Sequence, residues 1–253
     1  MAISQIVIAR HGQSIWNLEN KFTGWEDVGL TDQGKQEAEE LGQAVEQMQR
    51  GGGSRYLTSD LLRAQDTIKI AMRTMGYSDE AIKRLLEIDE RMKERSYAGL
   101  TGLNKAETVE KFGQEQVDIW RRAYDAGLPE HETDPEKYPN ETLRSLVEGR
   151  VGEYYREVLK PMFEKGENAL ASWHGNSIRA LLINLDIATP ENINNFEIAN
   201  GKPYFLKVEN GVVKEHNFEE KVKDQPKVST GQDQTPHRPI RGNKTLEYPA
   251  FGL

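Results

Sequence analysis

The 253-residue chain contains no cysteine. Disulfide staples, thiol nucleophiles and thiolate-bound metals are therefore excluded, and a reducing, cytoplasmic setting is the expectation. Long apolar runs are missing too. Apolar residues make up 36% of the chain and the mean hydropathy is −0.74. The first apolar run, Ile6-Val7-Ile8-Ala9, is broken by Arg10 before it reaches signal-peptide length. No stretch approaches the roughly 20 residues of a spanning helix, so no membrane partner is expected. Basic residues are the minority, 33 against 41 acidic ones, for a net charge of −8. That balance argues against a nucleic-acid partner. A Walker-type glycine-rich loop is absent, which weighs against a nucleoside triphosphate site. Of the five histidines, His131, His216 and His237 show no ligand spacing with the other two, so no metal is expected.

What is present begins with that first apolar run. It reads as a buried strand and stops at Arg10-His11-Gly12, where a cation, an imidazole and a flexible backbone arrive together. The chain repeats the device at Asn168–Trp173, which leads into His174-Gly175-Asn176-Ser177, with Arg179 just after. Ligands of open α/β sheets bind beyond the carboxyl ends of the strands. A single histidine there is more often structural. Two His-Gly strand ends, each beside an arginine, point to two imidazoles facing one pocket.

The remaining elements follow in order. A loop gathers Trp16, Asn17, Phe22, Thr23, Gly24 and Trp25, which either offers donors to an anion or packs on its own aromatics. Thr31 caps a helix carried by Ala38, Leu41, Val45 and Met48 and ended by Gly51-Gly52-Gly53. Arg55-Tyr56-Leu57-Thr58-Ser59 reads as a second strand. The helix after it carries Arg63 in its first turn, against the helix dipole. A bound anion would favour that cation; a solvated surface arginine is the alternative. Arg84-Leu85-Leu86-Glu87-Ile88 reads as a third strand. Segment 94–105 has no period and carries Glu94, Arg95 and Lys105; long loops of this kind tend to be functional. A helical region then presents Arg121-Arg122. Adjacent helix residues point about 100° apart, so one arginine is expected to line a site and the other to brace a carboxylate. Segment 127–139 reads as a surface loop or lid. An amphipathic helix from Leu143 to Leu159 is expected to stop near Pro161. Asn210-Gly211 between two apolar runs signals a hairpin. From Asn217 onward the chain is polar, carries four prolines and shows no period. The expected division is a catalytic body, 1–216, and a polar tail, 217–253, acting as a lid or interface arm.

A phosphorylated small molecule would need neutralised charge and alignment. Arg10 and Arg63 suit phosphate oxygens, and neutral His11 can attack phosphorus through one ring nitrogen. His174 can donate to the transferring group. Glu94 is the candidate proton carrier, although an ordinary surface glutamate fits these residues equally well.

These segments also carry a resemblance. Ala9-Arg10-His11-Gly12-Gln13-Ser14 and Phe22-Thr23-Gly24-Trp25 resemble the start of the histidine phosphatase superfamily. Within it, Glu94-Arg95-Ser96-Tyr97, Gly102-Leu103-Asn104-Lys105-Ala106-Glu107-Thr108, Trp120-Arg121-Arg122 and the His174 motif resemble the cofactor-dependent phosphoglycerate mutases. The resemblance implies a three-layer α/β/α sandwich around a mainly parallel sheet, in agreement with the alternation above. It implies a phosphorylated His11, a proton-shuttling Glu94, and a phosphate pocket of Arg10, Arg63 and His174. It implies substrate contacts from Ser14, Asn17, Thr23, Gly24, Arg95, Tyr97, Lys105, Arg121, Arg122, Gly175 and Asn176. The implied reaction interconverts 3-phosphoglycerate and 2-phosphoglycerate, primed by 2,3-bisphosphoglycerate, without metal, in a homodimer or homotetramer. Gln13, Ser96 and the Ala98-Gly99 order depart from the mutase pattern, and the connection from Arg122 to Glu141 is short. These bear on substrate enclosure and on transfer against hydrolysis. A histidine phosphatase acting on another phosphoester is the first rival. A non-catalytic phosphoanion-binding protein is the second.

Overall fold

A computed structural model describes residues 2–46 and 54–221. Six strands form one sheet: β1 (Ile3–Arg10), β2 (Ser54–Thr58), β3 (Leu86–Ile88), β4 (Asn168–Trp173), β5 (Pro203–Glu209) and β6 (Val212–His216). Their order across the sheet is β3-β2-β4-β1-β5-β6. The pairs from β3 through β1 are parallel, and β5 and β6 are antiparallel. The mainly parallel α/β architecture is thus as expected. Among the described residues the chain also forms ten α-helices: α1 (Ile15–Leu18), α2 (Asp32–Glu46), α3 (Leu62–Thr74), α4 (Asp79–Leu85), α5 (Lys105–Phe112), α6 (Gln114–Arg122), α7 (Leu143–Glu148), α8 (Arg150–Tyr154), α9 (Lys160–Glu164) and α10 (Gly175–Asn184).

The strand pleat explains the layering. Ile6 and Ile8 of β1 face one core with Trp173, Leu181 and Phe163, while Val7 and Ala9 face a second core with Leu41, Ile68 and Met72. Both faces are therefore buried, and each fully buried aliphatic side chain contributes about 1.5–3 kcal/mol. The long helix between β1 and β2, α2, packs on one face. The helix that follows β4, α10, packs on the other. The neighbouring ends of β1 and β4 thus form a topological switch point, where α/β sheets bind ligands.

Several local expectations change. Arg84 and Leu85 finish α4, because Ser78 caps a helix that starts at Asp79. The long helix is broken at Gly149 and passes through a π-helical turn, Tyr155–Leu159. Pro161 does not stop it. The proline is the second residue of α9 and lies two residues past the π-helical turn. Segment 127–139 is pinned: Leu128 is buried with Phe22 and Leu100, and the Tyr138 hydroxyl meets Glu26. Thr31 does cap α2, accepting the Gly34 N–H at 3.1 Å. Asn210 and Gly211 make the hairpin, both at positive φ, 50° and 81°. Phe218, in the expected tail, stacks on Tyr204 with ring centroids 4.4 Å apart. Met48, Gly51-Gly52-Gly53 and the tail from 222 onward lie outside the described residues.

Candidate active site

Register brings the two histidines together. β1 and β4 run parallel with Arg10 opposite Trp173, so the next residues, His11 and His174, leave the sheet side by side. The His11 N–H donates to the Trp173 carbonyl at 2.9 Å, and the two imidazole centroids lie 5.1 Å apart. The turn after His11 needs glycine. A Cβ on Gly12 would sit 2.2 Å from the Gly34 carbonyl oxygen, and the Gly12 N–H donates to Thr67 Oγ1.

Hydrogen bonds fix the His11 ring. Nδ1 lies 2.7 Å from the Gly12 carbonyl, and the Arg63 Nε–H donates to Nε2 at 3.3 Å. A guanidinium only donates, so Nε2 carries the lone pair and Nδ1 the proton. Burial, then Arg63 and Arg10, hold the His11 pKa well below its ordinary value and keep the ring neutral. Arg63 is itself buried. Its two other nitrogens donate to the Glu26 and Gly24 carbonyls, each at 2.8 Å. Burial lowers its pKa to about 10, and no carboxylate forms an ion pair with it among the described residues. It is neither the exposed arginine nor a paired one. His174 is fully buried and kept neutral by burial and by Arg63, His11 and Arg10.

Glu94 stands beside this pair, 7% exposed. Its Oε1 accepts the N–H of Arg95 at 2.8 Å and of Asn176, in the first turn of α10, at 3.1 Å. Its Oε2 accepts no hydrogen bond from a described residue. The loop bearing Glu94 is clamped from a distance. Arg150 donates to the carbonyls of Arg91, Lys93 and Glu94 and to both carboxylate oxygens of Glu141, one of which also takes the Ser96 N–H. The Trp25 indole donates to the Glu94 carbonyl at 2.7 Å.

A cavity of about 790 Å³ opens here, lined among others by Arg10, Glu94, Lys105, Arg121, Arg122 and Arg179. It concentrates cations in an acidic chain. Arg121 and Arg122 end α6, and both line the cavity. Neither makes a hydrogen bond or ion pair with a described residue, so the division of labour expected from their 100° offset does not hold. Burial, then Arg121 and Arg10, push the Lys105 pKa down to about 8. Among the described residues no group of three His, Cys, Asp or Glu is placed to hold a metal ion, and no helix is long and apolar enough to cross a membrane.

Comparison with known proteins decides the family. The family model of the histidine phosphatase superfamily (branch 1) matches residues 6–220. The 2,3-bisphosphoglycerate-dependent phosphoglycerate mutase of Methylocella silvestris is 41% identical over 209 residues, 82% of this chain and 94% of that protein. The enzyme of the same name from Parvibaculum lavamentivorans is 42% identical over 211 residues, 83% and 93%. The chain belongs to the histidine phosphatase superfamily, among its 2,3-bisphosphoglycerate-dependent phosphoglycerate mutases. Solved structures share the fold of this superfamily. A phosphoglycerate mutase from Bacillus anthracis superposes with a TM-score of 0.61 at 20% identity, covering 87% of this chain and 92% of that one. A mycobacterial glucosyl-3-phosphoglycerate phosphatase gives 0.63 at 19%, covering 87% and 100%.

The remaining residues expected from the superfamily pattern sort into two groups. Arg95, Tyr97, Gly175 and Asn176 line the cavity. Arg95 also braces it, donating to the Trp120 carbonyl at 2.7 Å with its guanidinium over the Tyr97 ring. Ser14, Asn17, Thr23 and Gly24 are not among the lining residues. Ser14 and Asn17 cap α1 reciprocally, and Asn17 Oδ1 accepts from Asn200, whose amide also donates to the His11 carbonyl. Gly24 gives its carbonyl to Arg63. Sequence reading missed Ser59, Asn200 and the Arg150–Glu141 pair. Ser59 had a local signal, a polar residue leaving a strand end as His174 does. The other three meet the site only through long-range contacts.

Proposed function

We propose that this protein interconverts 3-phosphoglycerate and 2-phosphoglycerate, in glycolysis and gluconeogenesis, through a phosphohistidine at His11. The observation that carries this reading is the His11 ring. It is neutral, with its Nε2 lone pair beside Arg63, and its neighbours Arg10 and Glu94 line a cavity that also holds the guanidiniums of Arg121 and Arg122. Phospho-His11 first gives its phosphoryl group to the free hydroxyl of the monophosphate: the N–P bond breaks, the new P–O bond forms, and Glu94 Oε2 takes the hydroxyl proton. The freed Nε2 then attacks the phosphorus at the other position, the N–P bond forms again, the P–O bond breaks, and Glu94 Oε2 returns its proton to the leaving oxygen. Arg10, Arg63 and His174 balance the charge of the transferring group. Lys105, Arg121, Arg122, Tyr97 and Asn176 grip the rest of the substrate. A bisphosphate primer suits this donor set. Arg10 Nε and His174 Nδ1 are buried without partners among the described residues, and the Arg121-Arg122 pair is free for a second anionic group. When bound, 2,3-bisphosphoglycerate supplies the first phosphoryl group. The same reading gives a cytoplasmic homodimer or homotetramer that uses small phosphoglycerates and no nucleic acid, membrane or metal. It also gives the tail from 217 onward a role as lid or interface arm.

The test is incubation with phosphorus-labelled 2,3-bisphosphoglycerate, followed by an isomerisation assay with 3-phosphoglycerate. An acid-labile label on His11 is expected, and His11→Ala abolishes both label and turnover. Label that survives His11→Ala overturns the assignment.

A further inference from the structure

We propose that Ser59 sets the tautomer of His174, keeping its proton on Nδ1 so that this nitrogen donates to the phosphoryl group during transfer. The inference rests on the phosphohistidine reading above. Ser59 directly follows β2, and its side chain and that of His174 are both fully buried. Ser59 Oγ lies 2.7 Å from His174 Nε2 and accepts the Leu61 N–H at 3.2 Å. A hydroxyl has one proton to give. Among the described residues the only acceptor in reach of Ser59 is His174 Nε2. Nε2 therefore accepts, and a neutral ring must carry its hydrogen on Nδ1.

His174 Nδ1 has no hydrogen-bond partner among the described residues, although the whole ring is inaccessible to solvent. Buried donors are seldom left unpaired in a native protein, so this one marks a place for a ligand acceptor. The opposite tautomer fails twice. It leaves the Ser59 proton without an acceptor, and it turns a lone pair toward the anionic oxygens that the site gathers. His11 solves the converse problem with a backbone group. There Nδ1 donates its hydrogen to the Gly12 carbonyl, and Nε2 keeps the lone pair for attack, meeting only the Arg63 Nε–H among the described residues. Two adjacent imidazoles are thus set for opposite tasks, one by a carbonyl and one by a serine. Ser59 is a positioning residue; it acts through His174 and touches no substrate.

The experiment is nitrogen NMR of the full chain carrying ¹⁵N-histidine, with the His174 signals assigned by their loss in His174→Asn. In the wild-type chain, without substrate, the proton is expected on His174 Nδ1. Ser59→Ala moves it to Nε2 in a substantial fraction of molecules, and Ser59→Thr, which keeps the hydroxyl, restores Nδ1. In the same variant, His11 phosphorylation by 2,3-bisphosphoglycerate slows by about 10- to 100-fold. KM stays within about threefold. The loss is smaller than the about 10²–10³ of a deleted oxyanion donor, because the ring remains. A wild-type His174 protonated at Nε2 overturns the inference, whether or not Ser59→Ala folds. So does a Ser59→Ala chain with an unchanged tautomer. A wild-type chain with the expected tautomer but no His11 label overturns the phosphohistidine reading alone.

Discussion

At the scale of single residues, Glu94 and His174 each have one polar atom held by the protein and one left without a partner among the described residues. Glu94 shows this clearly: two backbone N–H groups fix Oε1, and Oε2 is left to carry a proton. Glu94→Gln keeps the shape and one acceptor but cannot exchange a proton. Turnover is expected to fall by about 10²–10⁴-fold with KM little changed. A near-normal turnover number in steady-state assays assigns the proton to another group. Lys105 offers a second test through pH. Its pKa of about 8 means that the free enzyme loses this cation as pH rises through 8. An anionic substrate binds the charged form, so kcat/KM should decline about tenfold per pH unit above 8. Lys105→Arg keeps the charge at any accessible pH and should remove that decline. Arg63, lowered to about 10, titrates too late to mimic it. An alkaline limb that survives Lys105→Arg would assign the titration elsewhere.

At the scale of elements, α6 delivers its two arginines from its last turn, where the helix dipole favours cations. They have no hydrogen-bond or ion-pair partner among the described residues, so their charge is available to the non-reacting end of a substrate. A charge-assisted hydrogen bond there is worth about 1.5–3 kcal/mol, so Arg121→Ala should lower isomerisation by roughly 10- to 150-fold. Hydrolysis of phospho-His11 by water does not use that grip and should fall less. Equal losses of isomerisation and phosphate release would make Arg121 structural. The elements that sequence reading placed correctly are those whose signal is local. β1 and β4 are short apolar runs closed by His-Gly, α2 has a threonine cap and an apolar stripe, and the β5–β6 hairpin has Asn210-Gly211. The misplacements came where one residue type has two meanings. Pro161 reads as a stop by its ring but is carried just past the π-helical turn, and Arg84-Leu85 fits a strand pattern until Ser78 is recognised as a cap. Arg121 and Arg122 both line the cavity, and which way each points depends on tertiary packing. Arg150, 56 residues beyond the Glu94 carbonyl it holds, leaves no local trace in the sequence.

At the scale of the whole molecule, sheet topology creates the nucleophile and also a weakness to acid. Parallel pairing of β1 with β4 places His11 and His174 in the interior, 2% and 0% exposed, next to buried arginines. Both rings are held neutral, with pKa values well below the 6.5 of an ordinary histidine. In the unfolded chain they regain that ordinary value. Below pH 6.5 the unfolded chain therefore binds protons that the native chain refuses, and the free energy of unfolding falls as pH falls. Above 6.5 neither state binds them, and the term is constant. Each histidine contributes a slope of about 1.4 kcal/mol per pH unit once the unfolded form is fully protonated and until the native ring titrates. The two together approach about 2.7 kcal/mol per unit, a large share of the about 5–15 kcal/mol that holds a typical domain folded. Urea unfolding at pH 7.5, 6.5 and 5.5 should show stability nearly flat over the first interval and clearly lower at the last. His11→Gln, which removes one of the two groups, should roughly halve the loss. Ordinary carboxylates, near pH 4, add little across that window. Equal stability at 7.5 and 5.5 would mean that both rings titrate normally in the folded chain. His11 would then be partly protonated near neutral pH, and the lone pair that phosphoryl transfer requires would not be held ready.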